Sequence, residues 1–258
     1  MKRVLPVLGL VIGILCTSGV AFADGTWLPD NFSTLGKEID HLWQMIFWMV
    51  TIVFFLTEGA LIYFVVRFRE RPGQKAAYIR ESNALEVVWS VIPALVLVFL
   101  ALYQWNTWAE AKLRPPESAD TVKVQILAQQ FEWNVRYAGP DGAFATDDDL
   151  TMKNQLYIPE GKPILIQIRA LDVIHSFFLP NFRVKQDAVP GTTVQVWFDA
   201  NKTGKYEIAC SEICGLGHYR MRALLHVYTN DEFESWLQEK YDAGATPADW
   251  GWDWEEGV

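Results

Sequence analysis

Two thiols, an imidazole, a thioether and a carboxylate fall within twelve consecutive residues, Cys210-Ser-Glu-Ile-Cys-Gly-Leu-Gly-His-Tyr-Arg-Met221. Gly215 and Gly217 let the backbone bend so that side chains this close in sequence can converge on one point. Thiolate, imidazole and thioether together suit copper, whereas zinc takes thioether poorly and calcium or magnesium calls for oxygen. A mononuclear blue-copper site would use one Cys, one Met and two His. Cys210 and Cys214 instead offer two thiolates, enough to bridge a pair of copper ions, with one imidazole completing each and weaker axial donors beyond.

The second imidazole must come from elsewhere. The chain has four histidines, His41, His175, His218 and His226. His175 lies in an apolar, strand-like segment, Leu171 to Phe178, and is the expected partner of His218. His226, in the apolar run Ala223 to Tyr228, reads as a strand histidine with an ordinary hydrogen bond, and His41 as an interfacial residue before a membrane span. Two cysteines in an oxidising compartment most simply form a disulfide. A disulfide has no use for the His, Met and Glu around them, and a structural zinc site has none for Met221.

A loop of this kind needs a stiff scaffold. Short β-branched or aromatic runs at Val122–Ala128, Phe131–Tyr137, Ile164–Ala170, Thr192–Phe198, Tyr206–Ala209 and Ala223–Tyr228 are separated by Gly, Pro, Asn and Asp, the pattern of a Greek-key sandwich spanning 118–230. Thr229 and Glu232 form a capping box for a helix over 231–241. The acidic tail, 242–258, carries three tryptophans and no haem-attachment Cys-x-x-Cys-His, and is expected either to stay at the surface or to dock on a partner.

Ahead of the sandwich lie two long apolar stretches in a chain of 258 residues that is 51% hydrophobic. The first predicts a membrane helix over 43–66, whose one charge, Glu58, implies packing against another protein. The second predicts a helix over 84–108, bent at Pro93, with Asn83 and Glu86 as an Asn-x-x-Glu cap. Between them, 67–83 holds Arg67, Arg69, Arg71, Lys75 and Arg80, against one Lys in the outer segment 24–42, so the middle loop is expected inside and both mature ends outside. Residues 1–23 read as a secretory signal ending in Ala21-Phe-Ala23; Leu15 before Cys16 is too bulky for a lipoprotein site. Loss of Lys2 and Arg3 would take the net charge from −9 to −11.

The loop Cys210–Met221, with Asp172-Val-Ile-His175-Ser upstream and two spans before it, closely resembles subunit II of the haem-copper cytochrome c oxidases, of the aa3 type with a dinuclear copper A centre. The resemblance covers nearly the whole mature chain, from about Trp43 to Leu237. It implies a cupredoxin fold with the metal loop joining the last two strands, and copper held by His175, Cys210, Cys214 and His218, with Met221 and the Glu212 carbonyl in the weak axial places. It further implies a bacterial inner-membrane protein with its β domain outside, working with subunit I, subunit III and cytochrome c, and no nucleic-acid partner. Electrons would pass from reduced cytochrome c to the haem of subunit I, where oxygen is reduced and protons are pumped, so no catalytic residue is expected on this subunit.

By the same resemblance, Glu86 marks the mouth of a proton-uptake channel, and the Glu212 carboxylate binds magnesium or manganese at the subunit I boundary. Phe131 stands where the family usually has Trp, while Trp133 fits the second aromatic of that motif. Phe131, Trp133, Asp147, Asp148, Asp149, Asp172 and Asp187 are the expected donor-docking residues, the aspartates steering a basic cytochrome, with plain solubilising charge as the other reading of the Asp147–Asp149 run. A quinol oxidase subunit would lack the thiolates. A copper A subunit of a nitric oxide reductase-type enzyme stays open, although two spans feeding directly into the barrel favour the oxidase.

Overall fold

Stretches that are apolar on every side can be buried only in a large core or in lipid. In the computed structural model, which describes residues 28–116 and 118–244, both such stretches are single helices, α1 (Thr34–Arg67) and α2 (Asn83–Lys112), long and apolar enough to cross a membrane. The expected signal with Cys16, and the tail beyond residue 244, lie outside the described residues.

Helix α1 starts well before the expected span, and the reason is tertiary. Ser33 makes no side-chain cap of its own. The Asp199 carboxylate caps the helix instead, accepting from the Thr34 amide at 2.9 Å and the Ser33 hydroxyl at 3.0 Å. Nearly two turns on, Asp40 pairs with Arg183 through Nε at 2.5 Å and Nη2 at 3.0 Å. The first turns of α1 thus stand above the span and are fastened to the β domain. Helix α2 corrects the expected Asn83–Glu86 box. Its N-cap is Ser82, whose Oγ accepts from the Leu85 amide at 3.4 Å, and Glu86 sits exposed in the first turn. At the far end the Trp197 indole donates to the Glu110 carbonyl at 2.7 Å, and Lys112 Nζ to Gln186 Oε1 at 2.7 Å.

The β domain has ten strands: β1 (Val122–Gln129), β2 (Glu132–Tyr137), β3 (Leu150–Lys153), β4 (Gln155–Pro159), β5 (Pro163–Ala170), β6 (His175–Leu179), β7 (Val184–Ala188), β8 (Val194–Asp199), β9 (Gly204–Cys210) and β10 (Arg222–Tyr228). They form two five-stranded sheets, ordered β3-β2-β1-β5-β8 and β4-β10-β9-β6-β7. Strict alternation is clearest in β5, where Ile164, Ile166 and Ile168 point inward. They meet Val124, Ile126, Leu156, Ile158, Phe177, Ile208 and Leu225 in one core. This is the expected cupredoxin arrangement, with the metal loop joining β9 and β10.

A C-terminal helix, α3 (Asn230–Asp242), carries the expected Thr229–Glu232 box, each residue bonding the other's backbone. It buries Phe233 and stacks Trp236 on Tyr157 with ring centres 4.3 Å apart.

The capping of α1 by a distant carboxylate is directly testable. Asp199→Ala should speed amide exchange in the first turn of α1 by on the order of 5- to 30-fold, the effect of losing a cap with several bonds, and leave the middle of the span unchanged. Hydrogen exchange with mass spectrometry in detergent reads this; equal protection in the variant would mean the helix start is held by something else.

Candidate metal centre

Strands β6, β9 and β10 end together at one edge of the sandwich. Ala209 pairs with Arg222 and the Cys210 amide donates to the Met221 carbonyl at 3.1 Å, which closes the base of the loop. The Ser211 amide donates to the Ser176 carbonyl at 2.9 Å, tying the loop to β6 beside His175. Within the loop, Gly215 has φ +136°, a conformation that strains any side chain, and a short 3-10 turn at His218–Arg220 turns the chain back.

The loop is seated on the β1–β2 turn. A Cβ at Gly217 would lie 2.5 Å from the Phe131 ring, and one at Gly215 2.6 Å from Gln130 Nε2. Gln130 Nε2 donates to the Cys214 carbonyl. The Arg220 guanidinium lies over the Phe131 ring, 5.9 Å from its centre. Phe131 therefore packs beneath the metal loop, and the two glycines admit its ring.

The soft donors converge. Cys210 Sγ lies 3.9 Å from Cys214 Sγ, 4.0 Å from His175 Nδ1 and 3.2 Å from the Glu212 carbonyl oxygen. Cys214 Sγ lies 3.7 Å from His218 Nδ1 and 3.7 Å from Met221 Sδ. Both thiols are free, and the ligand atoms of His175, Cys210 and Cys214 lie within 4.8 Å of one another, all three residues buried. Two sulfurs, two imidazoles, a thioether and one carbonyl suit a soft or borderline ion rather than a hard one, and the set fits copper. Glu212 itself is exposed.

Charge at the sulfurs is uneven. Burial favours the neutral thiol at Cys210, but contacts with His175, the Ser176 and Glu212 backbone and His218 bring its pKa down to about 6. Burial and the Cys210 charge push Cys214 up to about 11. The first proton of the pair leaves easily and the second is held, because two thiolates this close repel. Cationic metal reverses that repulsion.

His175 is oriented from behind. Its Nε2 donates to Asp172 Oδ1 at 2.8 Å, which turns Nδ1 toward Cys210. Burial opposes a charged imidazole here, but Cys210 and Asp172 outweigh it and raise its pKa. Burial likewise opposes the Asp172 carboxylate, yet bonds from His175 and the Gln130 and Val173 amides hold it below the usual range.

The expected donor-docking residues lie in different surroundings. Asp172 is exposed while it bonds His175. Trp133 is fully buried, its ring edge-on to His175 with centres 6.1 Å apart, and offers no contact surface. Asp149 is 2% exposed, paired with Arg136 at 3.4 Å, and Asp148 accepts from Thr146 Oγ1 at 2.6 Å. The Asp147–Asp149 run follows β2, which starts at the turn that seats the metal loop, so four residue steps of strand, about 13 Å, separate Trp133 from Tyr137 before the run begins. Asp147 is exposed at that remote end, beyond Tyr137; Asp187, exposed and accepting from Ser176 Oγ at 2.7 Å, stays near the centre.

The centre is also rimmed by apolar side chains that sequence reasoning passed over. Ile213 is 82%, Leu216 97% and Tyr219 85% exposed, flanked by Leu171, Val173 and Ile174. Large apolar residues inside a short, glycine-containing loop were the available signal. His226 bonds Gln155 at 2.6 Å within the β4–β10 pair, an ordinary strand histidine as expected.

A family profile described as the periplasmic domain of cytochrome c oxidase subunit II matches residues 130–227, and one for its transmembrane domain matches 19–106. The chain is 30% identical to the alternative cytochrome c oxidase subunit 2 of Bradyrhizobium diazoefficiens over 85% of both chains. It is 28% identical to cytochrome c oxidase subunit 2 of Thermostichus vulcanus, over 85% of this chain and 80% of that one. Among solved structures, the periplasmic domain of cytochrome oxidase subunit II from Bradyrhizobium japonicum aligns with 51% of this chain and 99% of that one, at 30% identity and a TM-score of 0.44.

Two substitutions test the geometry. Asp172→Asn should lower metal affinity about 10- to 100-fold, the usual cost of losing a ligand's outer partner, as read by chelator competition; an unchanged affinity would reduce Asp172 to a surface charge. Gly217→Ala must displace Phe131 and should weaken metal retention while leaving the far-ultraviolet circular dichroism intact, whereas full retention would show that Phe131 does not seat the loop.

Proposed function

Because the chain belongs to the cytochrome c oxidase subunit II family, we propose that it is the electron-receiving subunit of a respiratory terminal oxidase, taking electrons singly from reduced cytochrome c and passing them to the haem of subunit I for reduction of oxygen to water coupled to proton pumping. The observation that supports this most is the convergence of two sulfurs, 3.9 Å apart, with two imidazoles at the end of a stiff sandwich fastened to two apolar helices. Cys210, Cys214, His175 and His218 would hold copper, with Met221 and the Glu212 carbonyl as weaker donors. Copper held there would supply a one-electron couple suited to electron transfer.

The protein's own part is to hold those donors still. Strand ends fix Cys210 and His175, the Phe131 ring supports the loop, and Trp133 and Phe177 keep water from the inner side of His175. The apolar rim at Ile213, Leu216 and Tyr219 gives redox partners a surface that sheds water on contact, which shortens the distance between centres. Phe131 acts here as support for the loop, and the exposed acids near the centre for a basic donor are Asp172, Asp187 and Glu212. The Glu212 carboxylate is also free to bind magnesium or manganese with oxygen ligands from subunit I. Glu86, exposed at the start of α2, lies at the end of the hairpin joined to the basic loop, where a proton-uptake mouth shared with subunit I would open. Subunit III is the further membrane partner in this reading, and the β domain lies outside a bacterial inner membrane.

The full chain, reduced and loaded with copper, should bind two coppers and show a purple mixed-valence spectrum. One copper per chain, or retention of zinc alone, would reject the dinuclear assignment.

A further inference from the structure

The outer ends of α1 and α2 do not close fully against the sandwich. A cavity of about 170 Å³ remains between them, lined by Leu35 and Ile39 of α1, Lys112 of α2, and Arg183, Lys185 and Trp197 of the β domain. Its depth follows from the helices. Ile39 and Leu35 precede Trp43, the first residue of the apolar span, by about 6 and 12 Å, and Lys112 follows Trp108 by about 6 Å. Tryptophans of this kind mark the boundary of the hydrocarbon, and the polar layer beyond it is about 5–8 Å thick. The cavity therefore opens at the level of the lipid headgroups.

Its charge is positive. Arg183 is neutralised by Asp40, at 2.5 and 3.0 Å. Lys112 Nζ donates to the Lys185 carbonyl at 3.3 Å and to Gln186 Oε1 at 2.7 Å, both neutral acceptors. An ammonium has three N–H groups, so one remains for a ligand. Burial works against the Lys112 charge, and the acid whose field partly offsets it is Asp187, which already accepts from Ser176. Lys185 adds a second, exposed ammonium. The volume is well under the roughly 300 Å³ of pockets that enclose a whole soluble ligand, so it suits a small anionic group attached to something that stays outside.

We propose that this cavity binds the phosphate headgroup of an anionic phospholipid, with Lys112 and Lys185 on the phosphate, Leu35, Ile39 and Trp197 against the glycerol, and the acyl chains left in the bilayer. Such a lipid would bridge the end of α2 and strand β7, the strand that carries Asp187 and pairs with the His175 strand. The inference stands apart from the copper assignment and needs only that α1 and α2 cross a membrane.

The test uses the full chain in detergent, with phosphatidylglycerol, phosphatidylcholine and inorganic phosphate added separately and retained molecules counted by native mass spectrometry. One phosphatidylglycerol should bind in preference to phosphatidylcholine. Replacing both lysines, Lys112→Gln with Lys185→Gln, should weaken it on the order of 10- to 30-fold, since each basic group near a headgroup contributes a several-fold effect. The charge-keeping pair Lys112→Arg with Lys185→Arg should retain the lipid, which separates loss of charge from misfolding. Equal binding of phosphatidylcholine, unchanged retention in the glutamine pair, or loss in the arginine pair would overturn the proposal. Displacement of the lipid by millimolar inorganic phosphate would overturn it too, by making this a site for free phosphate.

Discussion

Two thiolates 3.9 Å apart repel each other, and the rest of this structure is arranged around keeping them there. At that distance two like charges cost on the order of 4 kcal/mol even in a moderately polarisable surrounding. The sulfurs respond by sharing one proton unevenly, with Cys210 at about 6 and Cys214 at about 11. Only positive charge placed between them allows both to ionise. The absence of hard oxygen donors inside the cluster, apart from one carbonyl, explains why that charge should be a soft metal ion.

Holding the pair requires stiffness from several directions at once. Cys210 is the last residue of a central strand and His175 the first of its neighbour, so their positions are set by the sheet rather than by the loop. Cys214 and His218 lie on the loop and need separate support, which Gln130 and Phe131 give from below. Asp172 completes the set by fixing which imidazole nitrogen of His175 faces the sulfurs. Donors constrained in this way have little room to move, which keeps the reorganisation accompanying a change of charge small.

The same logic of fixed position extends to the membrane. Asp199 and Arg183 hold the start of α1, while Trp197 and Gln186 hold the end of α2. The helices and the sandwich are therefore joined by hydrogen bonds and an ion pair on both sides of the hairpin, rather than by two free linkers. Strand β8, strand β7 and Arg183 just before it carry these attachments, and β7 pairs directly with the strand that bears His175.

Residue spacing alone determined a great deal. The soft-donor loop, the partner histidine, the two spans, most strands and the Thr229–Glu232 box follow from chemistry that acts over a few residues or from a simple apolar period. What the sequence could not decide depends on groups far apart in the chain. Strands β3 and β7 are short and polar, Leu-Thr-Met-Lys and Val-Lys-Gln-Asp-Ala, and become strands only because a neighbour supplies the ladder. The cap on α1 comes from Asp199, and Ser82 displaces Asn83 at the start of α2 because the true cap depends on where the chain turns. Charge at Asp147–Asp149 is visible in a sequence, but only the fold shows that the run lies beyond the far end of β2 with one of its acids buried. Local patterns record which groups can react; which of them share a surface is set by how ten strands close on one another, and that is a property of the folded chain.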